Sequence, residues 1–305
     1  MASPHPHRTL GFAACAGAGA LWGTGFFFGK IALAEMSVGH MVFYRFLFAA
    51  IAFLPVVLMH RTRIPAHHWR LLLLGAFLGV PLQFLLQFKG LSLTTVAHAS
   101  LMVGTMPVIL AIGAAIFAYE RMDRIGWLSL FASTSGAALI ASSGARNITA
   151  GGPTLAGDLL VVLSLCIALF WVLLNKHLLQ TYSTWVVSSY TVCSGFLMLA
   201  IYIPFVNGPP PVNGVSVKAW LALAASGVLC TAATTSLWNW GMTQVAASQA
   251  GVFLNLEPLV GSVLGIALLH EKLGHSAVLG GLLIVLSAVV LTTHSRTTVR
   301  TQVPA

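Results

Sequence analysis

The sequence predicts an all-α integral membrane protein whose ten transmembrane helices form two inverted five-helix repeats. Three observations predict it. Charged residues make up 7% of the 305 residues and apolar ones 58%, with a mean hydropathy of +0.91. Soluble domains carry roughly 25% charge, so this chain is too poor in charge to cover a water-facing surface. The apolar residues come in long unbroken runs instead of short alternating stretches, which selects helices over a barrel. Finally, the second half of the chain repeats the first at a nearly constant offset.

Runs of about 20 apolar residues, the length that spans a hydrocarbon core, occupy residues 10–34, 39–59, 69–88, 94–118, 124–143, 157–180, 184–206, 219–241, 245–269 and 276–294. The first starts behind Arg8 with the small-residue stretch ACAGAGA, which alone would suit a secretory leader. LWGTGFFFG carries it on to Leu33, too long for a leader's apolar core. HRTRIPAHH separates the second and third runs, ERMDR the fourth and fifth, GARNITAGGPT the fifth and sixth, and NGPPPVNG the seventh and eighth. The expected organisation is a cytoplasmic tail over 1–9, a first five-helix repeat over 10–145, a linker over 146–156, a second repeat over 157–294 and a cytoplasmic tail over 295–305.

The repeat is read directly. GLSLTTVAHASLMVGTMPVILAIGAAIFAYER from Gly90 aligns without a gap with GMTQVAASQAGVFLNLEPLVGSVLGIALLHEK from Gly241, an offset of 151. Pro107 matches Pro258, Glu120 matches Glu271, and the register extends back to Trp69 and Trp220. Nearer the start the offset is 149, pairing Trp22 with Trp171 and Pro55 with Pro204. Five helices is an odd number, so the second copy enters the membrane from the opposite side. Inverted repeats of this kind are a transporter architecture, with the site near the midplane between the halves.

Nine Lys and Arg residues (Arg8, Arg61, Arg63, Arg70, Arg121, Arg124, Lys176, Arg296, Arg300) fall on the side of the N-terminus, against Lys89, Arg146, Lys218 and Lys272 opposite, with Lys30 and Arg45 near outer helix ends. The excess places both termini in the cytoplasm, in a bacterial inner (plasma) membrane. The net charge of +9 forms no single patch, so nucleic acid is not an expected partner. The four cysteines (Cys15, Cys166, Cys193, Cys230) lie in apolar runs without a C-x-x-C pair and read as packing residues. His5, His7, His67 and His68 lack acidic or cysteine partners at ligand spacing, so no metal is expected. There is no Gly-rich phosphate loop, no G-x-S-x-G and no H-E-x-x-H, which argues against ATP-driven transport and against a membrane hydrolase or protease. The chain is not expected to be an enzyme or to need a cofactor. A lipid-modifying enzyme would need a nucleophile–base pair or an Asp-rich metal motif, and no two of the six acids form one.

ALWGTGFFFGKIAL and YRFLFAAIAFLP in the first half, with GDLLVVLSLCIALFWVLLNK and LNLEPLVGSVLGIALLHEKL in the second, resemble the EamA family of the drug/metabolite transporter superfamily. His270 stands where the family usually has glycine before its acidic corner. The resemblance covers essentially the whole chain. It implies a ten-helix exporter working by alternating access, and within the family an amino-acid exporter of the YddG type. The first helix lacks the deep glutamate by which small multidrug antiporters of the superfamily couple protons, so proton coupling stays open, with Glu257 and His98 as the deep titratable pair.

Candidate cargo residues come from helix periodicity, since positions four apart share a face. His98, Met102 and Met106 are so spaced in the fourth helix, and their repeat partners Gln249, Phe253 and Glu257 in the ninth. Gly75, Gly79, Gln83 and Gln87 form a stripe in the third helix, matched by Ser226, Cys230, Thr234 and Trp238 in the eighth. The first helix adds Trp22, Phe26 and Lys30, the sixth Trp171 and Asn175. These faces are expected to converge on one apolar, aromatic, methionine-containing cavity with a few amide and imidazole groups. That lining suits amphiphilic solutes, aromatic or methionine-like amino acids among them. The substrate-binding set is Trp22, Gln83, Gln87, His98, Met102, Trp171, Asn175, Trp238, Gln249, Phe253 and Glu257.

Plainer roles stand beside these. Gly75 and Gly79 suit helix packing, Gln83 and Gln87 suit bonds to a neighbouring helix, and Trp69 and Trp220 suit interfacial anchoring. Arg45 suits three roles: meeting a substrate carboxylate, snorkelling to the interface, or pairing with Glu35. Glu120 and Glu271 read as solvated corners, and Asp158 suits a helix N-terminus. Pro55, Pro107, Pro204 and Pro258 are candidate bending points. Glu257 either bonds to polar groups as a structural residue or lines the cavity. Drug or hydrophobic-metabolite efflux is the alternative within transport. Besides the bilayer and a small-molecule cargo no partner is expected, and a monomer suffices.

Overall fold

The computed structural model describes residues 7–59, 62, 64–93, 103–117, 120–144, 155–269, 275–294 and 297–299. Its helices are α1 (Arg8–Leu33), α2 (Val38–Met59), α3 (Ala66–Leu93), α4 (Met106–Phe117), α5 (Arg124–Gly144), α6 (Leu155–Leu178), α7 (Thr184–Asn207), α8 (Val217–Gln244), α9 (residues 247–269) and α10 (His275–His294). Six of them, α1, α2, α3, α6, α7 and α8, are long and apolar enough to cross a membrane. Large apolar side chains such as Phe131, Ile201 and Phe205 point outward, the surface of a bundle solvated by lipid instead of water. Among the described residues the fold is helical except for one short ladder, in which β1 (Glu120–Met122) pairs antiparallel with β2 (Thr297–Val299). That ladder leaves the all-α class unchanged and ties the segment after α10 to the α4–α5 turn.

Three helices depart from regular winding. In α3, Leu78–Leu82 form a π-helical segment containing Pro81, whose missing N–H disrupts the regular ladder. In α8, Val228–Ala233 are also π-helical, although no proline is present. There the Thr231 hydroxyl donates to the carbonyl of Ser226, five residues back, at 3.1 Å. In α9 a short turn, Ala247–Ala250, runs into a 3₁₀ segment, Gly251–Asn255, before the helix Leu256–Leu269. Pro107 and Pro258, expected as bending points, instead lie in the first turns of Met106–Phe117 and Leu256–Leu269, where a missing N–H costs little. Pro55 and Pro204 do lie inside α2 and α7.

Packing joins the two halves at every level. α2 runs antiparallel to α7: Gly39 meets Asn207 at one end, and the Cys193 thiol lies 3.9 Å from the Ala50 carbonyl further along. α5 runs antiparallel to α10, with Gly136 against the Gly280 carbonyl and Leu130 packed with Leu291. α3 lies on α6 and α8 on α1 in matched fashion. A Cβ on Gly90 would sit 2.9 Å from the Gly157 carbonyl, and one on its repeat partner Gly241 would sit 3.0 Å from the Gly11 carbonyl. Close backbone approach through small residues is what holds helices together where lipid is as apolar as the side chains.

Both faces of the bundle are clasped across the halves. On one, the α1–α2 and α7–α8 turns meet: Ser216 donates its N–H and hydroxyl to Glu35 at 2.7 and 2.6 Å, and Tyr44 donates to the Pro211 carbonyl at 2.9 Å. Glu35 therefore pairs with Ser216, not with Arg45. On the other face His68 Nδ1 and the Tyr182 hydroxyl are 2.6 Å apart, beside Trp69 and Tyr190. The two bonds from Ser216 hold the Glu35 carboxyl below its ordinary pKa of 4.5. A depressed carboxylate stabilises the fold fully above its unfolded pKa and loses that contribution as pH falls through the folded one. The advantage in unfolding temperature of wild type over Glu35→Gln should thus be full at pH 7 and shrink below about pH 4.5. A pH-independent difference between the two would refute the bond's role.

Candidate functional site

A cavity of about 1000 Å³, counting the space at its mouth, lies between the halves. Its wall takes Trp22 and Gly25 from α1, Arg45 and Phe46 from α2, and Gly79, Gln83, Phe84 and Gln87 from α3. It takes Trp171 from α6, Thr191 from α7, Cys230, Thr231, Thr235 and Trp238 from α8, and Glu257 from α9. Both π segments contribute: Gly79 belongs to one, and Cys230 and Thr231 to the other. π winding leaves the backbone imperfectly paired and often marks functional positions.

The glycine at 79 shapes the deep end. A Cβ there would fall 2.1 Å from Cδ1 of Trp171, so only glycine leaves room for the indole against α3. On the same wall the Trp22 and Trp238 rings pack with centroids 5.5 Å apart and planes tilted by 58°. Four polar atoms on the wall, Gln83 Oε1, Trp171 Nε1, Thr191 Oγ1 and Trp238 Nε1, are buried without a hydrogen-bond partner among the described residues. Buried polar groups are normally satisfied, so these are groups a bound molecule or water would engage.

Arg45 is 3% exposed although it carries a charge within an apolar helix. It does not snorkel. Nε donates to Thr231 Oγ1 at 2.8 Å and Nη2 to the Cys230 carbonyl at 2.9 Å. The guanidinium lies over the Phe84 ring at 4.9 Å, a cation–π contact. Glu257 reaches the same cavity from α9. Among the described residues Glu257 makes no hydrogen bond or ion pair.

Of the residues picked out by periodicity, Trp22, Gln83, Gln87, Trp171, Trp238 and Glu257 stand on the wall. His98 and Met102 lie outside the described residues. Asn175, Gln249 and Phe253 stand off it. Asn175 is buried beside Gly75 between α6 and α3, with both amide atoms unpartnered among the described residues. Gln249 is buried in the turn before the 3₁₀ segment, and Phe253 packs on Phe12 at 5.7 Å. The reason is the winding of α9. A 3₁₀ residue advances about 120° against about 100° in an α-helix, so five of them swing the face by about 100°. The four-residue spacing that put Gln249, Phe253 and Glu257 on one face does not hold there. Cys230, from the stripe read in the eighth helix, is on the wall as well, whereas Thr191, Thr231 and Thr235 were not singled out as cargo contacts. The signal for Arg45 was its own depth, since an intramembrane charge is by default a functional position.

Comparison with known proteins gives a consistent picture. The profile described as EamA-like transporter family matches twice, over residues 9–142 and 155–293. An uncharacterized transporter of Archaeoglobus fulgidus is 27% identical over 278 residues, 90% of this chain and 93% of its own. The uncharacterized transporters YdeK and YetK of Bacillus subtilis are 27% and 22% identical over 73% and 90% of this chain and 76% and 86% of theirs. A solved crystal structure superposes with a TM-score of 0.78 over 95% of this chain and 99% of that one, at 17% identity, a likeness of fold alone. The names of the relatives state transport and no cargo.

Proposed function

Because this chain belongs to the EamA-like transporter family, we propose that it exports small amphiphilic metabolites, chiefly amino acids with aromatic or methionine-like side chains. It does so by alternating access of two inverted halves around the central cavity. The observation that carries the reading is that cavity: it sits between the halves, is walled by both, and combines indole and phenyl faces with a few polar groups and two opposite charges. An apolar surround with a small number of placed polar groups is the pattern of a site for amphiphilic solutes.

Antiparallel packing of the repeat partners α2 and α7, and of α5 and α10, supports an axis in the membrane plane. Two copies related by such an axis enter the bilayer from opposite sides. The Lys and Arg distribution supports cytoplasmic termini and an inner-membrane location. The clasps on both faces support a rocking motion, since each can hold one face shut while the other opens. The amino-acid cargo implied by the resemblance to YddG-type exporters belongs to this proposal. Drug efflux differs from it in needing no charged ends on the cargo.

Counterflow in proteoliposomes tests the reading. Vesicles loaded with unlabelled phenylalanine should accumulate labelled phenylalanine, and methionine should compete. Absence of counterflow with any amino acid, together with accumulation of an uncharged aromatic solute, would favour the efflux reading instead.

A further inference from the structure

We propose that Arg45 and Glu257 are the two charge poles of the cargo site: the Arg45 guanidinium receives a carboxylate and the Glu257 carboxylate receives an ammonium group, so the cargo is a zwitterion held in one orientation. This deepens the export reading and rests on it.

Both side chains line one cavity, and each lacks a direct charged partner among the described residues. Arg45 is bonded only by neutral acceptors, the Thr231 hydroxyl and the Cys230 carbonyl, and backed by the Phe84 ring. These contacts fix the guanidinium plane without neutralising it. Its third nitrogen, Nη1, faces Gly25, 3.8 Å from where a Cβ would stand. A fixed planar fork is the geometry that receives a carboxylate. The Glu257 side chain likewise makes no hydrogen bond among the described residues, although it sits on the wall of a largely apolar and aromatic cavity. Isolated charges in a bilayer are costly and persist where they serve a pathway or a ligand. The missing counter-charge of each is what a zwitterion carries.

Symmetry sharpens the point. Arg45 comes from the first half and Glu257 from the second. At the repeat offsets of 149 and 151 their partners are Ser194 and Met106. The frame is doubled but the charges are not, so the cavity holds one cation from the first half and one anion from the second, neither with a symmetry mate. A cargo with two different ends binds such a site in a single sense, and one molecule then bridges both halves.

Competition against labelled phenylalanine in the counterflow assay reads the assignment, with phenylalaninamide lacking the carboxylate and 3-phenylpropionate lacking the amine. On wild type, both analogues should compete at least about 30-fold more weakly than phenylalanine, the loss expected when one partner of a buried charge pair is removed. In Glu257→Gln the preference for phenylalanine over 3-phenylpropionate should collapse while that over phenylalaninamide persists. Arg45→Gln should do the converse. A merely structural role would weaken all three ligands together and leave their ratios unchanged. Equal competition by the three on wild type, a measurement that needs no variant to fold, overturns the pole assignment and leaves amino-acid export standing. Absence of counterflow with any amino acid overturns both.

Discussion

Gly23→Ala should force α1 away from α9 and lower the thermal stability of the detergent-purified protein. A Cβ at position 23 would stand 2.5 Å from the Glu257 carbonyl oxygen and 2.8 Å from Val260 Cβ. The first of these is backbone and cannot rotate aside, so the helices must separate by several tenths of an ångström or more. Gly19, one turn earlier, is tighter still, with the Phe253 carbonyl 2.2 Å from its Cβ position. The pair forms a Gly-x-x-x-Gly seam, and in a membrane such seams are held by close packing, not by exclusion of water. Overpacking of this sort costs about 1–3 kcal/mol. Because the same backbone carries Glu257, transport should fall as well, even below the unfolding temperature. Gly17 supplies the control: its Cβ would meet only Leu237 Cδ1 at 3.9 Å, so Gly17→Ala should leave unfolding temperature and transport near wild type. Equal behaviour of Gly17→Ala and Gly23→Ala would remove the α1–α9 seam as the cause.

A disulfide between Gly39→Cys and Asn207→Cys should stop transport, and reductant should restore it. The Cβ position of residue 39 lies 2.7 Å from Cγ of Asn207, which puts the two Cβ atoms about 4 Å apart, within disulfide range. The bond would join the start of α2 to the end of α7, next to the Glu35–Ser216 and Tyr44–Pro211 contacts, and hold that face shut. If cargo must leave through both faces in turn, a permanently closed face allows no turnover. The native cysteines lie within helices, and oxidised wild type serves as the reference. Full transport after quantitative cross-linking would refute rocking at this face.

Much of the fold was readable because it depends on one-dimensional signals. Poverty of charge, the length of the apolar runs and the offset of 151 between Gly90 and Gly241 need no knowledge of packing. Part of the site was readable for the same reason. Gln83 and Gln87 lie on the α-helical continuation of α3, and Trp22, Trp171 and Trp238 sit deep in long helices, which puts all five on the cavity wall. The α9 stripe was not readable, because a 3₁₀ segment rotates its face and nothing in GVFLN announces that winding. The π segment of α8 was equally silent, whereas Pro81 marked the one in α3.

Arg45 shows where the boundary falls. The sequence placed a cation about two turns into α2 and left three fates for it. Only the approach of α8, with the Cys230 carbonyl and Thr231 hydroxyl at bonding distance, turns the side chain into the cavity wall, while Ser216 claims the glutamate that was its rival partner. By itself the sequence determined the membrane class, the helical runs and the doubling, because hydrophobicity and repetition are properties of the chain read in order. The tertiary structure decided which face of each helix meets the cavity and which charges share it. Those depend on helix phase and on the contacts of residues nearly two hundred positions apart, such as Arg45 and Thr231, and a local pattern carries neither.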